Sequence, residues 1–166
     1  VWGVESNFGR AFGTRPLVTS VATLSCFGRR QPFFRGELMS TLRIVQEGHV
    51  EPERLVGSWA GAFGHTQFMP STYVRVAVDF DGDGRRDLVG SVPDALASTA
   101  NFLKLAGWRS GEPWGWEVRL PAGFDASLAG RRNKRPLAEW LRRGIEPMAG
   151  ASPKGEDASR TPDTTD

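Results

Sequence analysis

Cysteine, tyrosine and histidine are nearly absent from this 166-residue chain, which has one, one and two of them. A single thiol, Cys26, excludes an intrachain disulfide, and one cysteine with two imidazoles cannot build a structural zinc centre. Its place in the apolar run from Val18 to Phe27 reads as a small buried residue rather than a nucleophile. No stretch approaches the roughly eighteen consecutive apolar residues of a membrane-spanning helix. An initiator Met and a basic-then-apolar leader are also missing. The first residues already have the character of mid-helix, so the chain is expected to continue upstream, and its front says nothing about export. Charge of one sign is scarce too: 21 Lys and Arg stand against 19 Asp and Glu, a formal net charge of +2. The basic residues Arg131, Arg132, Lys134, Arg135, Arg142 and Arg143 lack the aromatic interleaving of a nucleic-acid surface and read as a solvated face. Nucleic acid is not an expected partner.

What remains is ordinary for one globular domain, with 39% apolar and 24% charged residues. Val1 to Arg10 reads as the end of a helix stopping near Gly9, with Val1, Val4 and Phe8 on one face. Pro16 and Gly28 bracket a second helix. Pro32 opens a third, with Phe34, Leu38, Leu42 and Val45 at helical spacing before Gly48. Glu53 to Val56 is at most a short helix. Pro70 starts another short one, and Pro93 and Asp94 open a longer one ending at Gly107. Trp114 to Leu120 alternates like a strand, and Pro136 to Arg143 allows one more short helix. The residues after Gly150 cannot bury a core and read as a disordered tail over 151–166. The fold class is therefore mainly α (α+β), with a single core over 1–150 and a small β element.

Three segments carry chemistry. In Val-Trp-Gly-Val-Glu-Ser-Asn-Phe-Gly, a helix would set Trp2 and Phe8 on either side of Glu5. Aromatic walls dehydrate a carboxyl group and favour its protonated form, as a general acid for glycosidic cleavage requires. From Gly57 to Gln67, glycines punctuate an apolar stretch without a clear period. That pattern suits either a close-packed turn or a place where backbone meets a ligand. Asp79 to Asp87 fits the first half of an EF-hand loop. Asp79, Asp81 and Asp83 stand at positions 1, 3 and 5, Gly84 at the turn, and the carbonyl of Arg85 at position 7. The second half departs, with Arg86 at position 8 and Gly90 where a bidentate Glu belongs.

Together these segments resemble a known family. Glu5-Ser6-Asn7-Phe8-Gly9 is similar to the Glu-Ser-x-aromatic signature on the catalytic helix of lysozyme-like lytic transglycosylases. Ser58-Trp59-Ala60-Gly61-Ala62-Phe63-Gly64-His65-Thr66-Gln67-Phe68-Met69-Pro70 resembles the Gly-Ala-x-Gly-x-x-Gln-Phe-Met-Pro segment of the membrane-bound lytic transglycosylase B family. The Asp-rich loop, Pro93-Asp94-Ala95 and the helix ending Gly107-Trp108 follow in family order, so the resemblance covers about residues 1 to 108.

The resemblance implies a lysozyme-like catalytic core acting on peptidoglycan. The expected reaction cleaves the β-1,4 bond between N-acetylmuramic acid and N-acetylglucosamine and leaves a 1,6-anhydro sugar. Glu5 takes the place of the single acid/base, and the substrate's N-acetyl carbonyl stands in for the second carboxylate of a retaining glycosidase. Ser58 and Gln67 fall on groove positions, where a hydroxyl and an amide supply both donors and acceptors. Ser6, Phe68 and Met69 complete the candidate substrate-binding set, with core packing the competing reading for the last two. Trp2 and Trp59 are candidate faces for sugar rings; Trp108, Trp114, Trp116 and Trp140 read as core or groove edge. The acidic loop becomes a candidate structural Ca2+ site of Asp79, Asp81, Asp83 and Arg85, with Asp94 as a late carboxylate and Asp87 acting through water. No cofactor for catalysis is implied. The expected setting is periplasm or cell envelope, and the expected state a monomer cut at both ends relative to the family. A hydrolytic muramidase and a silent wall-binding module remain the alternatives.

Overall fold

The computed structural model describes residues 1–111 and 115–148, and the chain forms two compact units that divide after Arg109. Unit 1 contains helices α1 (Trp2–Ser6), α2 (Leu17–Phe27), α3 (Gln31–Gln46), α4 (Pro70–Val76) and α5 (Val92–Leu105). Strands β1 (Arg15–Pro16) and β2 (Val56–Gly57) pair antiparallel, Arg15 opposite Gly57. The described part is mainly helical with small strand pairs, as the sequence indicates. The expected tail over 151–166 and Trp114 lie outside the described residues.

Helix α2 begins after Pro16 and ends at Gly28. Its buried face is Leu17, Val21 and Ser25, an i, i+4, i+8 row. Cys26 lies one residue round from that row and is exposed, with Phe27 beside it 87% exposed. The expectation of a buried Cys26 is therefore corrected: a helix turns about 100° per residue, so the apolar run contributes only one stripe to the core. Helix α3 packs on α2 and α4 through Glu37, Thr41 and Ile44. Glu37 is buried, and its two oxygens accept from the Ser71 main-chain N–H (2.9 Å) and hydroxyl (2.7 Å). It thereby satisfies first-turn donors of α4, whose own N-cap, Met69, offers no side-chain acceptor. At the other end of α4, Asn101 donates to the Val76 carbonyl and Ser98 accepts from the Val78 N–H. Both tie α4 to α5.

The core of unit 1 gathers Leu17, Ile44, Leu55, Phe63, Tyr73 and Leu88, all at most 1% exposed. Phe63 is the hinge of a small ladder, bridged to Gly57 on one side and to Phe68 on the other. Glu53 to Val56 is not a helix: Glu53 and Arg54 form a turn, and Val56 already belongs to β2. Helix α1 stops at Ser6, shorter than the periodicity suggests, because Asn7 and Phe8 take left-handed backbone (φ 48° and 56°). Val1, Val4 and Phe8 are all exposed.

Unit 2 contains strands β3 (Val118–Arg119) and β4 (Glu146–Pro147), paired antiparallel, a 3-10 turn at Ala126–Leu128, and helix α6 (Leu137–Arg142). Residues 115–117 are not strand, so the expected element is shorter than the alternation implied. Trp116, Val118, Leu120, Phe124, Trp140 and Ile145 line an apolar cavity of about 410 Å³. The basic cluster is solvated as expected, except that Arg135 and Arg143 both pair with Glu139. Trp108 in unit 1 is 60% exposed, so of its two expected places, core or groove edge, the core is excluded.

Candidate active site

Helix α1 carries Glu5 and Ser6, and the structure closes it onto the second motif, 59 residues away in sequence. The Ser6 hydroxyl is buried, donates to the His65 carbonyl (2.6 Å) and accepts from the Gly9 N–H (3.0 Å). Ser6 was expected among the substrate contacts; at 1% exposure it is instead a tie between the two motifs. At the other end of α1, the Trp2 indole N–H donates to His65 Nδ1 at 3.0 Å. An indole nitrogen can only donate, so Nδ1 is the acceptor and the neutral ring carries its proton on Nε2. The ring packs edge-on against Trp2 and Phe12, with centroids 5.7 Å and 4.6 Å away. Gly9, at φ 83°, makes room for it: a Cβ there would lie 2.5 Å from His65 Cε1. Burial pushes the His65 imidazole below its ordinary value of 6.5, against a smaller upward pull from Asp87.

The rest of the second motif is a tight ladder of main chain. Ser58 Oγ accepts from the Ala62 N–H (3.0 Å) and is half-buried. Gln67 sits in left-handed backbone, φ 51°, although it has a side chain. Its Nε2 donates to the Gly64 (3.0 Å) and Phe12 (3.3 Å) carbonyls, which orients the amide and leaves Oε1 as the end available to a ligand. Among the described residues, the non-glycine positions with positive φ are Asn7, Phe8 and Gln67. Each costs about 1–3 kcal/mol, and such strain concentrates where a site needs it. All three fall in the two motifs.

Glu5 itself is exposed, and among the described residues its side chain makes no hydrogen bond or ion pair. The aromatic walls expected from the sequence do not enclose it. Trp2 and Phe8 pack instead on each other, centroids 5.5 Å apart. Phe68, also expected in the substrate set, belongs to the core, 7% exposed and stacked near Phe102. Met69 is half-buried at the start of α4. Trp59 is 72% exposed, a free aromatic face beside Ser58, whereas the indole N–H of Trp2 is committed to His65. Sequence reasoning missed His65 as a member of the site. Its signal was a lone imidazole inside a glycine-rich motif, which by itself does not distinguish a core histidine from a positioning one.

The acidic loop places carboxylate oxygens of Asp79, Asp81 and Asp83 within 4.8 Å of one another, all exposed. Loop amides organise them: Gly82 and Gly84 donate to Asp79, Asp83 to Asp81, and Arg85 to Asp83. Asp94, the expected late ligand, is not in this group. Fully buried, it accepts from the Phe80 N–H (2.8 Å) with one oxygen and the Asp87 N–H (2.9 Å) with the other. Asp87 accepts from the Val89 and Gly90 amides and lies 3.5 Å from Arg54. The loop reaches the second motif through the His65 N–H, which donates to the Leu88 carbonyl (2.9 Å).

The profile of the Transglycosylase SLT domain family matches residues 1–165. The chain belongs to this family. Among relatives of this SLT domain is the membrane-bound lytic murein transglycosylase B of Escherichia coli (strain K12). The two are 44% identical over 152 residues, which is 88% of this chain and 40% of that protein. The structure of SltB3 from Pseudomonas aeruginosa in complex with NAG-NAM-pentapeptide superposes with a TM-score of 0.84 at 52% identity. That match covers 93% of this chain and 41% of SltB3. Escherichia coli Slt35 in complex with calcium superposes at a TM-score of 0.77 with 36% identity, over 89% of this chain and 46% of that one. The SLT domain thus spans about two fifths of the length of the first relatives it matches. Its fold is the lysozyme-like one expected, and the family expectation is borne out. Among the described residues no helix is long and apolar enough to cross a membrane.

Proposed function

We propose that the chain is a peptidoglycan lytic transglycosylase, cleaving the β-1,4 bond between N-acetylmuramic acid and N-acetylglucosamine with Glu5 as sole acid/base. The observation that carries this reading is the closure of the two family motifs on each other by the 2.6 Å bond from Ser6 to the His65 carbonyl. It brings the helix bearing Glu5 to the segment bearing Gln67. In the proposed reaction Glu5 protonates the glycosidic oxygen as the C1–O4 bond breaks. It then takes the proton from the muramic acid C6 hydroxyl as O6 bonds to C1, so no water is consumed. Because Glu5 is exposed in the free chain, the bound glycan itself has to exclude water from the carboxyl group. Ser58, the Oε1 end of Gln67 and the face of Trp59 suit the N-acetyl group and sugar rings. SltB3, with its NAG-NAM-pentapeptide and NAG-anhNAM-pentapeptide complexes, supports both the substrate and the anhydro product. The substrate sets the location, the cell envelope. One chain carries both motifs, which supports action as a monomer.

The acidic loop fits a hard cation, since its three converging donors are all carboxylate oxygens. The calcium complex of Slt35 supports Ca2+ as the ion. Asp79, Asp81 and Asp83 would hold it, with the Arg85 carbonyl at the next position. Its contribution would be to brace the loop before α5 rather than to take part in bond cleavage.

The test is mass spectrometry of soluble products released from peptidoglycan sacculi by the purified chain and by Glu5→Gln. Anhydro-muropeptides from the wild type alone support the reading. Reducing-end products would replace it with a muramidase, and activity in Glu5→Gln would remove Glu5 from the site.

A further inference from the structure

We propose that His65 is a positioning residue that sets the direction of Glu5 by gripping helix α1 at both ends. This rests on the reading of Glu5 as acid/base. Helix α1 has five residues, and its N-cap, Val1, provides no side-chain cap. So short a helix does not hold its conformation unaided. Glu5 has no side-chain partner of its own among the described residues, so its direction is inherited from the helix backbone. Two side chains of α1 reach outward to one residue. Trp2, the first residue of the helix, donates to the His65 ring, and Ser6, the last, donates to the His65 carbonyl. His65 is itself fixed from below. Its N–H bonds the carbonyl of fully buried Leu88, and its ring is wedged between Phe12 and the side-chain-free Gly9. The carbonyl contact survives any substitution at 65, whereas the ring contact does not. His65 is therefore more than filler in the core: its Nδ1 is the acceptor for the first side chain of the helix that carries Glu5.

The experiment follows the Trp2 indole N–H and the Glu5 main-chain amide by NMR in the full chain, alongside turnover of peptidoglycan. Wild type should show a hydrogen-bonded, slowly exchanging Trp2 indole proton. His65→Asn, whose side-chain oxygen can take the place of Nδ1, should keep it. His65→Leu should lose it and shift the Glu5 amide. Its kcat should fall about ten-fold, equivalent to about 1.4 kcal/mol, with KM within about two-fold. The Leu variant replaces a buried residue, so Trp2→Phe removes the same hydrogen bond from the donor side and should reproduce both effects. A Glu5 amide unmoved in folded His65→Leu and Trp2→Phe would overturn the proposal. So would a rise in KM at unchanged kcat, which would make His65 a groove contact. If wild type releases no product, it is the transglycosylase reading that fails, and the two resonances still decide the role of His65.

Discussion

His65 and His49 are both held below the ordinary imidazole value of 6.5. Burial is the main cause at each, and the Arg86 guanidinium adds to it at His49. A depressed value in the folded chain means that the unfolded chain takes up protons first as pH falls. The neutral rings therefore favour the fold fully above pH 6.5, and that contribution is lost as pH drops from there through the lower folded values. Thermal melts from pH 7.5 to 4.5 should show this loss in wild type and a shallower one in His65→Asn; identical slopes would mean that burial at 65 carries no such linkage. Glu37 gives a second residue-level expectation. Glu37→Ala removes the buried carboxylate that accepts from the Ser71 N–H and hydroxyl at the start of α4. Urea unfolding should show a loss of roughly 2–4 kcal/mol, with Glu37→Gln retaining part of it. The sequence displays Glu37 as one more polar residue on an amphipathic helix. Its partner lies 34 positions away, and no local pattern marks it. Glu5, Ser58 and Gln67, the residues proposed for the site, stand out in the sequence because a motif surrounds them. The tie made by Ser6 and the grip of His65 do not, because they are contacts between motifs.

At the scale of elements, the loop from Asp79 to Asp94 separates two kinds of carboxylate that the sequence presents alike. Local spacing revealed Asp79, Asp81 and Asp83, because positions 1, 3 and 5 of a tight turn converge whatever the surroundings. The role of Asp94 depends on where α5 docks, and only the folded loop shows that its two oxygens are already taken by Phe80 and Asp87. The two kinds should respond differently to calcium. Asp81→Ala, at an exposed position, should lower the melting temperature only when calcium is supplied. Asp94→Ala should lower stability with calcium or with a chelator, by roughly 2–4 kcal/mol for two stranded backbone donors in a buried site. Differential scanning calorimetry of both variants, with calcium and with chelator, checks this. A calcium-independent loss in Asp81→Ala would show the loop to be an Asp/Gly turn held by its own amides. Helix limits fared similarly. Pro16, Gly28 and Pro70 mark boundaries with a local cause, and α2, α3 and α4 lie where those residues allow. The early stop of α1 has a quieter marker in Asn7, which tolerates left-handed backbone, whereas nothing local announces the same conformation at Phe8.

At the scale of the whole molecule, every residue proposed for catalysis, substrate binding or cation binding lies in unit 1, which also contains the clustered core. Unit 2 is built differently. Among its described residues Ile145 is the only buried hydrophobic side chain, and Trp116, Val118, Leu120, Phe124 and Trp140 line an open cavity. Stability follows buried apolar area, and the described residues of this small unit, with one buried apolar side chain, supply little of it. Unit 2 should therefore open without the global unfolding that α2, α3 and the Phe63–Tyr73 region require. Native-state hydrogen exchange with mass spectrometry is the measurement. Peptides from residues 115–148 should exchange through openings at least about 2 kcal/mol below those of α2 and α3. Equal protection in both sets would mean that the chain unfolds as one body. Anhydro-product release that persists at a denaturant concentration where 115–148 is already open would assign turnover to unit 1. Loss of turnover in step with that opening would make unit 2 part of the machinery that binds the glycan.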